Sequence, residues 1–575
     1  MTINRRKSLR YRLAGYALSL PVLCLLFVPT ANAATSLPGP ASPNRIEQRF
    51  KPAPTPKAKP EITIPSLKTP LLPAEALKTT FTLKSVILDN STVYKPADLT
   101  PLYRGLIGKK VSLAQVFILR DTLTARYRRD GYILSQVIVP PQKIIGGVVH
   151  MQAVEGYVAD VHIKGDANDS RGLVAAMAER IKATRPLTVK ALEHYVLLMQ
   201  DIPGLSVRTV LRPAKNIPGA TILDLMVTHK VVTAYVSANN RGSRAIGPYQ
   251  GQVGINLNSP FGRDDLTSLQ LATVNRPREL QYVALRHDEI LTPEGARLKL
   301  AATYSHSRPR GSLVSLNPLG NSLTLSGGLD YPLIRSRSLT LRVGVSFTSL
   351  NSSVDLLNAR YSDDRVRYLS LTANFDVADT LLGDNHPAST IINAGLSRGL
   401  NILGATKTGS SNLSVANGHS DFTRFTVDLT RNQSLWGPFE LGLSAEGQVS
   451  SAPLLSAIRF GLGGSHFGRG YEPSEILGDD GVAGSVEVRY NLPFGNALIV
   501  NPQLYVFYDV GKVWKISPAT GQPRSEALAS AGPGFRFYLA RHISADIEVA
   551  KPLTRDIASR GNRNIRVLFS VTAQL

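Results

Sequence analysis

From about Lys230 to its last residue the chain alternates apolar and polar side chains with a period of two, and no other feature constrains its fold as tightly. Leu339, Leu341, Val343, Val345 and Phe347 alternate with Thr340, Arg342, Gly344 and Ser346. Phe425, Val427 and Leu429 alternate with Thr426, Asp428 and Thr430, and Ile543, Ala545, Ile547 and Val549 with Ser544, Asp546, Glu548 and Ala550. Ile565, Val567, Phe569, Val571, Ala573 and Leu575 form one face of a last strand. Successive strand residues point to opposite faces, so each segment presents one apolar and one polar face.

Two architectures satisfy this pattern. A soluble sandwich turns the apolar faces inward, and a transmembrane barrel turns them outward into lipid around a polar lumen. The region spans 575 − 230 = 345 residues, long for one sandwich but about 21 per strand and loop for sixteen membrane strands. Connections alternate between tight, as at Ser259-Pro260-Phe261-Gly262, and long and polar, as from Thr406 to Ser420. Lipid offers no partner for backbone N–H and C=O groups, so a spanning β protein must close on itself. The pattern favours the barrel. A mean hydropathy of −0.02 argues against a bundle of membrane helices.

The first 33 residues have the layout of a secretory signal. Arg5, Arg6, Lys7, Arg10 and Arg12 precede an apolar run from Leu13 to Val28, and Ala31-Asn32-Ala33 follows. Cleavage after Ala33 removes five basic residues and lowers the net charge from +23 to +18. Cys24, the sole cysteine, leaves with the signal, which excludes thiolate zinc and iron–sulfur sites in the mature chain. Residues 34–75 are rich in Pro, Ala, Lys and Thr and read as an extended linker on the inner side of the membrane, with room for a short helix over 43–50.

Between the linker and the barrel the texture is mixed α and β. A strand is expected over 81–88 and a helix from Ser112, its N-cap, through Leu113, Val116, Phe117, Leu119, Leu123 and Tyr127 to Gly131. Strands over 133–139 and 147–154 follow, with room for a further short helix before Ser112. A second unit of similar size carries strands at 158–164, 207–211 and 221–227 and helices at 173–181 and 189–199. Two small α/β modules in tandem suggest binding rather than catalysis.

No enzyme is expected. The glycines from Gly461 to Gly470 lack the Lys-Ser/Thr ending of a phosphate loop, the histidines show no metal-ligand spacing, and no nucleophile elbow is present. Neither cofactor nor metal is therefore assigned. The positive charge is dispersed, which suits anionic lipopolysaccharide or an acidic unfolded chain better than nucleic acid.

The stretch Gly131-Tyr132, Pro140-Pro141-Gln142, Gly146-Gly147 and Glu155-Gly156-Tyr157 resembles the polypeptide-transport-associated (POTRA) module of two-partner secretion transporters, the haemolysin-activator and filamentous-haemagglutinin transporter type. The barrel resembles the same family at Asn239-Asn240-Arg241-Gly242, at Phe460-Gly461-Leu462-Gly463-Gly464, at Arg469-Gly470-Tyr471 and at Phe507-Tyr508-Asp509. The resemblance implies a barrel of about sixteen antiparallel strands (231–575) preceded by two periplasmic POTRA domains, 81–156 and 157–230. It also implies a lid loop at about 461–481 that folds into the lumen. Its Arg469-Gly470-Tyr471 tip would meet Asp509 on the wall, with Glu487 as a second candidate acid. Two departures stand out. The chain ends in Leu575 where many such barrels end in an aromatic, a role Phe569 on the same face would share, and residues 43–50 are the sole trace of the plug helix of some relatives, so plugging stays open.

By that resemblance the protein resides in the outer membrane of a Gram-negative bacterium and exports a large partner exoprotein, an adhesin or haemolysin, whose activation in passage is left open. The partner would carry an N-terminal secretion domain, and the barrel-assembly machinery would insert the transporter. The alternative is a barrel-assembly factor, a class that usually carries more modules.

Overall fold

The structure is a computed structural model that describes residues 39–50, 62–63, 74–168, 172–496, 498–540 and 542–575. The expected signal over residues 1–33 and most of the Pro-rich stretch lie outside them.

The alternating region closes into a barrel of sixteen antiparallel strands, each paired with its sequence neighbours. The first strand, Val232–Asn239, pairs with the second, Gln250–Asn258, and with the sixteenth, Arg566–Gln574. The thirteenth strand, Ile499–Trp514, shows why the pattern gives this fold. Leu504, Val506, Tyr508 and Val510 stand exposed on its outer face, while Tyr505, Phe507 and Asp509 are buried on the lumen side. In water such an outer face would be unfavourable, whereas in lipid each buried aliphatic side chain contributes roughly 1.5–3 kcal/mol of transfer free energy. The period of two that anchors the barrel thus also aims Asp509 inward.

Two α/β modules precede the barrel. In the first, strands Ser85–Asp89, Val148–Val154 and Gln136–Ile138 lie side by side in that order, with Gln136–Ile138 at an edge. Helix Leu113–Arg129 covers them through Val116, Leu119, Leu123 and Tyr127, and helix Pro96–Tyr103 occupies the room expected before Ser112. Ser112 Oγ accepts from Gln115 N at 3.4 Å and Gln115 Oε1 accepts from Ser112 N at 2.8 Å, a reciprocal cap. At the other end Gly131 adopts φ 95°, its N–H donates to Arg128 O, and Tyr132 N donates to Tyr127 O. A left-handed residue at this place lets the chain reverse and satisfy the last carbonyls, so glycine is required there.

The second module repeats the plan with strands Tyr157–Lys164, Leu205–Pro213 and Ala220–His229 and helices Leu173–Ala183 and Val189–Gln200. Backbone from Ile62–Thr63 adds a parallel strand beside Thr209 and Val210. The carboxylate of Asp201, just after the second helix, accepts from Arg335 Nε and Nη2 at 3.0 Å each and from Arg342. Arg297 Nη2 donates to the Asp201 carbonyl at 3.1 Å. These arginines sit at the inner ends of three adjacent strands, so the module is clamped to the barrel rim.

Residues 39–50, which include the short helix allowed over 43–50, sit inside the barrel. Ile46 and Phe50 pack on Ile246, Ala272, Val274, Leu280, Tyr282 and Ala284 of the wall and first outer loop. Ser243 Oγ donates to Pro40 O at 3.0 Å, and Ser305 Oγ donates to Pro43 O at 3.1 Å. Ile46 and Phe50, with Ala41 also fully buried, anchor the segment, because the lumen supplies apolar surface for them and hydroxyl donors for its carbonyls. The helical part is short: a 3₁₀ turn Pro43–Arg45 runs into helix Ile46–Arg49.

Candidate functional site

The loop between the eleventh strand, Phe439–Ser450, and the twelfth, Asp480–Asn491, covers residues 451–479, starting earlier than the 461–481 expected from sequence. It turns back into the lumen as a small hairpin, Phe460–Leu462 against Ile476–Gly478. Phe460, Leu462, Tyr471 and Ile476 pack with Ala483, Val513 and Leu528 of the wall. Gly463 allows this at φ 108°, where a Cβ would stand 2.2 Å from Glu472 O. Gly464, next to it, also has a positive φ, and Gly470 passes so near the wall that a Cβ would lie 2.9 Å from Ser530 Cβ.

At the tip, Arg469 is buried among acids. Nε and Nη2 donate to Asp509 Oδ2 and Oδ1 at 3.1 and 2.9 Å, and the backbone N–H of Arg469 donates to Oδ2 at 2.9 Å. Nη1 donates to Glu487 Oε2 at 2.9 Å and to Glu548 Oε2 at 3.2 Å. The guanidinium also lies 3.6 Å from the centroid of the Phe507 ring. Asp509 is 0% exposed and accepts further from Ser485 Oγ at 2.8 Å and Ser530 Oγ at 3.3 Å. Charge-assisted hydrogen bonds in a confined site are stronger than surface pairs, and the bidentate fork fixes geometry as well as energy. Tyr471 completes the seat: its hydroxyl donates to Ala529 O at 3.2 Å, and Arg566 Nη1 donates to Tyr471 O at 2.6 Å.

The structure therefore brings Phe460, Gly463, Gly464, Arg469, Gly470, Tyr471, Phe507, Asp509 and Glu487 into one place. Glu487 also accepts from Arg489 Nε and Arg536 Nη1 at 2.7 Å each, so it bridges cations rather than serving Arg469 alone. Sequence reasoning did not single out Glu548, Arg536, Asp546 or Tyr505. Tyr505 O–H donates to Asp546 Oδ2 at 2.9 Å, and Arg536 Nε donates to the same oxygen at 3.0 Å. Their signal was present as the polar positions of alternating strands, but only the ladder between strands shows which of them share a level of the lumen.

The plug lies under the lid. Arg45, 1% exposed, donates from Nε to Ser474 Oγ at 3.3 Å and from Nη1 to Arg459 O at 2.5 Å. Plug, lid and wall enclose a lumen cavity of about 350 Å³ lined in part by Arg45, Arg49, Arg424, Asp428, Glu446 and Ser465.

The module residues singled out by sequence are turn and cap residues spread through the fold. The Glu155 carboxylate accepts from Thr92 N at 2.9 Å, Val93 N at 3.1 Å and Tyr127 Oη at 2.9 Å, pinning the loop before the first helix. Gln142 pairs with the backbone of His150 as an extra rung, donating to O at 2.6 Å and accepting from N at 2.9 Å. Gly156 N donates to Ser135 Oγ at 3.1 Å, and Tyr132 meets Tyr127 edge-on. Pro141 is exposed, and Tyr157 lies under the Arg185 guanidinium at 4.2 Å.

Comparison with known proteins agrees with this architecture. The family described as haemolysin secretion/activation protein ShlB/FhaC/HecB matches residues 219–537, and the POTRA domain of ShlB type matches residues 81–156. The heme/hemopexin transporter protein HuxB of Haemophilus influenzae (strain 86-028NP) is 27% identical over 515 residues, covering 87% of this chain and 89% of the relative. The outer membrane transporter CdiB of Dickeya dadantii (strain 3937) is 23% identical over 413 residues, covering 70% and 71%. The solved structure of CdiB from Escherichia coli shares the fold with a TM-score of 0.71 at 17% identity, over 88% of this chain and 92% of that one.

Proposed function

Because the chain belongs to the haemolysin secretion/activation family, an outer-membrane transporter family that secretes partner exoproteins, we propose a working cycle in which the lumen is held shut by plug and lid until the partner arrives. The observation that carries this reading is the seating of Arg469 against Asp509, Glu487 and Glu548 at the tip of a loop that occupies the lumen together with residues 39–50. A polypeptide can pass only when both are displaced, so the acid cage is the gate's resting lock.

The modules capture the partner. Strand Gln136–Ile138 offers its outer edge to an extended chain, where backbone hydrogen bonds give affinity with little demand on sequence. The second module, clamped at Asp201, hands the chain to the lumen. Folding outside then prevents backsliding. The partner is a large exoprotein recognised through an N-terminal secretion domain, while lipopolysaccharide surrounds the outer rim and the barrel-assembly machinery inserts the barrel. No cofactor takes part, and nucleic acid is not a partner. The rival role of barrel-assembly factor is set aside by the family match.

Deletion of residues 81–156 tests the capture role. Secretion is lost while the barrel still folds, seen as heat-dependent gel migration. Secretion at the wild-type level without the module would sink it.

A further inference from the structure

The modules precede the first strand on the inner side, so the loop that follows it, residues 240–249, lies at the outer rim. There the ladder between the first and sixteenth strands stops at Asn239 opposite Ser570, although the sixteenth stays paired on its other side as far as Arg566 opposite Ala550. The Asn240 side chain supplies one more rung, Nδ2 donating to Val567 O at 2.9 Å and Oδ1 accepting from Phe569 N at 2.8 Å. Beside that rung lies a cavity of about 340 Å³, lined in part by Arg244, Tyr249, Arg560, Ile565, Arg566 and Val567. The lid lock makes no use of it.

The lining has two characters. Tyr249, Ile565 and Val567 are exposed apolar side chains, and strand alternation turns Ile565 and Val567 to the lipid side. Arg244, Arg560 and Arg566 bring three guanidinium groups. Their neighbours Arg555 and Arg563 are taken by Glu526 and Asp556 at 2.9 and 3.3 Å, whereas these three have no acid within ion-pair distance among the described residues. The one carboxylate in the lining is Glu472, whose Oε1 accepts from Arg244 N at 3.0 Å and from Ser559 Oγ at 2.7 Å. Arg560 stands close enough to Arg566 to repel it. Arg560 Nε is buried without a hydrogen-bond partner among the described residues. A buried donor left unpaired is costly, and a phosphate offers several acceptor oxygens to guanidinium forks. The exposed apolar strip selects a phosphate that carries acyl chains, since a free phosphate gains nothing from it. We propose that this cavity binds a phosphorylated acyl lipid of the outer leaflet, the lipid A portion of lipopolysaccharide, with Arg244 and Arg560 on the phosphate and Tyr249, Ile565 and Val567 against an acyl chain. The site goes beyond the export reading and does not depend on it.

Arg566 Nη1 also holds Tyr471 O of the lid, so the test leaves Arg566 in place. Native mass spectrometry of the purified mature protein compares Arg244→Gln with Arg560→Gln against a charge-matched control. The control is Arg360→Gln with Arg365→Gln on the eighth strand, Ala359–Asp379, half the barrel away. With lipid A bearing two phosphates as the probe, wild type and control are expected to retain a single lipid molecule, and the Arg244 and Arg560 double variant to bind it about tenfold more weakly. Lipid A stripped of its phosphates is expected to bind the wild type no better than the diphosphorylated form binds that variant. Heat-dependent migration checks that each variant folds; if the double variant fails it, Arg244→Gln, a change to an exposed side chain, is read alone. Wild-type retention by the variant, an equal loss in the control, or equal retention of the stripped lipid overturns the proposal. Displacement of the lipid by inorganic phosphate at matched ionic strength assigns the site to free phosphate and overturns the lipid.

Discussion

Replacing Arg469 by Ala should unlock the lid while leaving the barrel intact, and the neighbours of the guanidinium set the size of the effect. Glu487 keeps Arg489 and Arg536, and Glu548 keeps Arg241 and Tyr505. Asp509 loses the only cation within ion-pair distance among the described residues and keeps the hydroxyls of Ser485 and Ser530, at 0% exposure. Removing one partner of a buried pair costs about 3–5 kcal/mol, because the remaining charge stays desolvated. Here most of that falls on Asp509. At 1.4 kcal/mol per tenfold, the released lid should gain about two to three and a half orders of magnitude in population. Asp509→Ala removes the bidentate pair but leaves Arg469 with Glu487 and Glu548 and strands no carboxylate, so it should be milder than Arg469→Ala, and Glu487→Gln, which removes one bond and leaves the bidentate pair, milder still. Single-channel recording of purified protein reads the shift as more frequent large openings, and secretion falls because the gate no longer responds to the partner. The outer apolar face is untouched, so assembly persists. Wild-type gating in Arg469→Ala, or a double-mutant cycle with no coupling between Arg469 and Asp509, would refute the lock.

The plug gives a second outcome. Ile46 and Phe50 are 0% and 5% exposed, so truncating both to Ala removes anchors worth about 2–4 kcal/mol each, and baseline conductance should rise without loss of export. A third concerns pH in the second module. Hydrogen bonds from Arg212 hold the Asp224 carboxyl down at about 2, with Lys164 adding to the effect. A folded-state pKa below the unfolded one contributes stability that is complete above the ordinary carboxylate range near 4 and fades as pH falls through about 2. Hydrogen exchange in strands Leu205–Pro213 and Ala220–His229 should therefore accelerate over that window, and Asp224→Asn should remove the pH dependence.

Local chemistry made much of this molecule legible. Ser112 and Gly131 mark the ends of one helix because caps are read within a few residues, and strict alternation revealed the barrel, whereas Asp509 as the wall acid came from the family resemblance. The Arg469 tip was visible only through resemblance to a family, since an arginine in a glycine-rich loop is otherwise an ordinary surface residue. What stayed hidden depends on contacts distant in sequence. Residues 39–50 read as linker because Pro40, Pro43 and Arg45 have no local reason to be buried; the lumen wall gives them one. Glu548 is one polar position of an alternating strand and Arg241 one member of the Asn239–Gly242 motif, and only closure of the first strand onto the last brings them to one level. The pairing of Ile62–Thr63 with the second module is likewise a tertiary event with no local signature.

The most direct test of the account is the secreted fraction of cells lacking this protein. One large polypeptide should vanish from the culture supernatant, return with the wild-type gene, and fail to return in full with Arg469→Ala or Asp509→Ala although both barrels reach the outer membrane. An unchanged supernatant accompanied by a general fall in other outer-membrane barrels would contradict it.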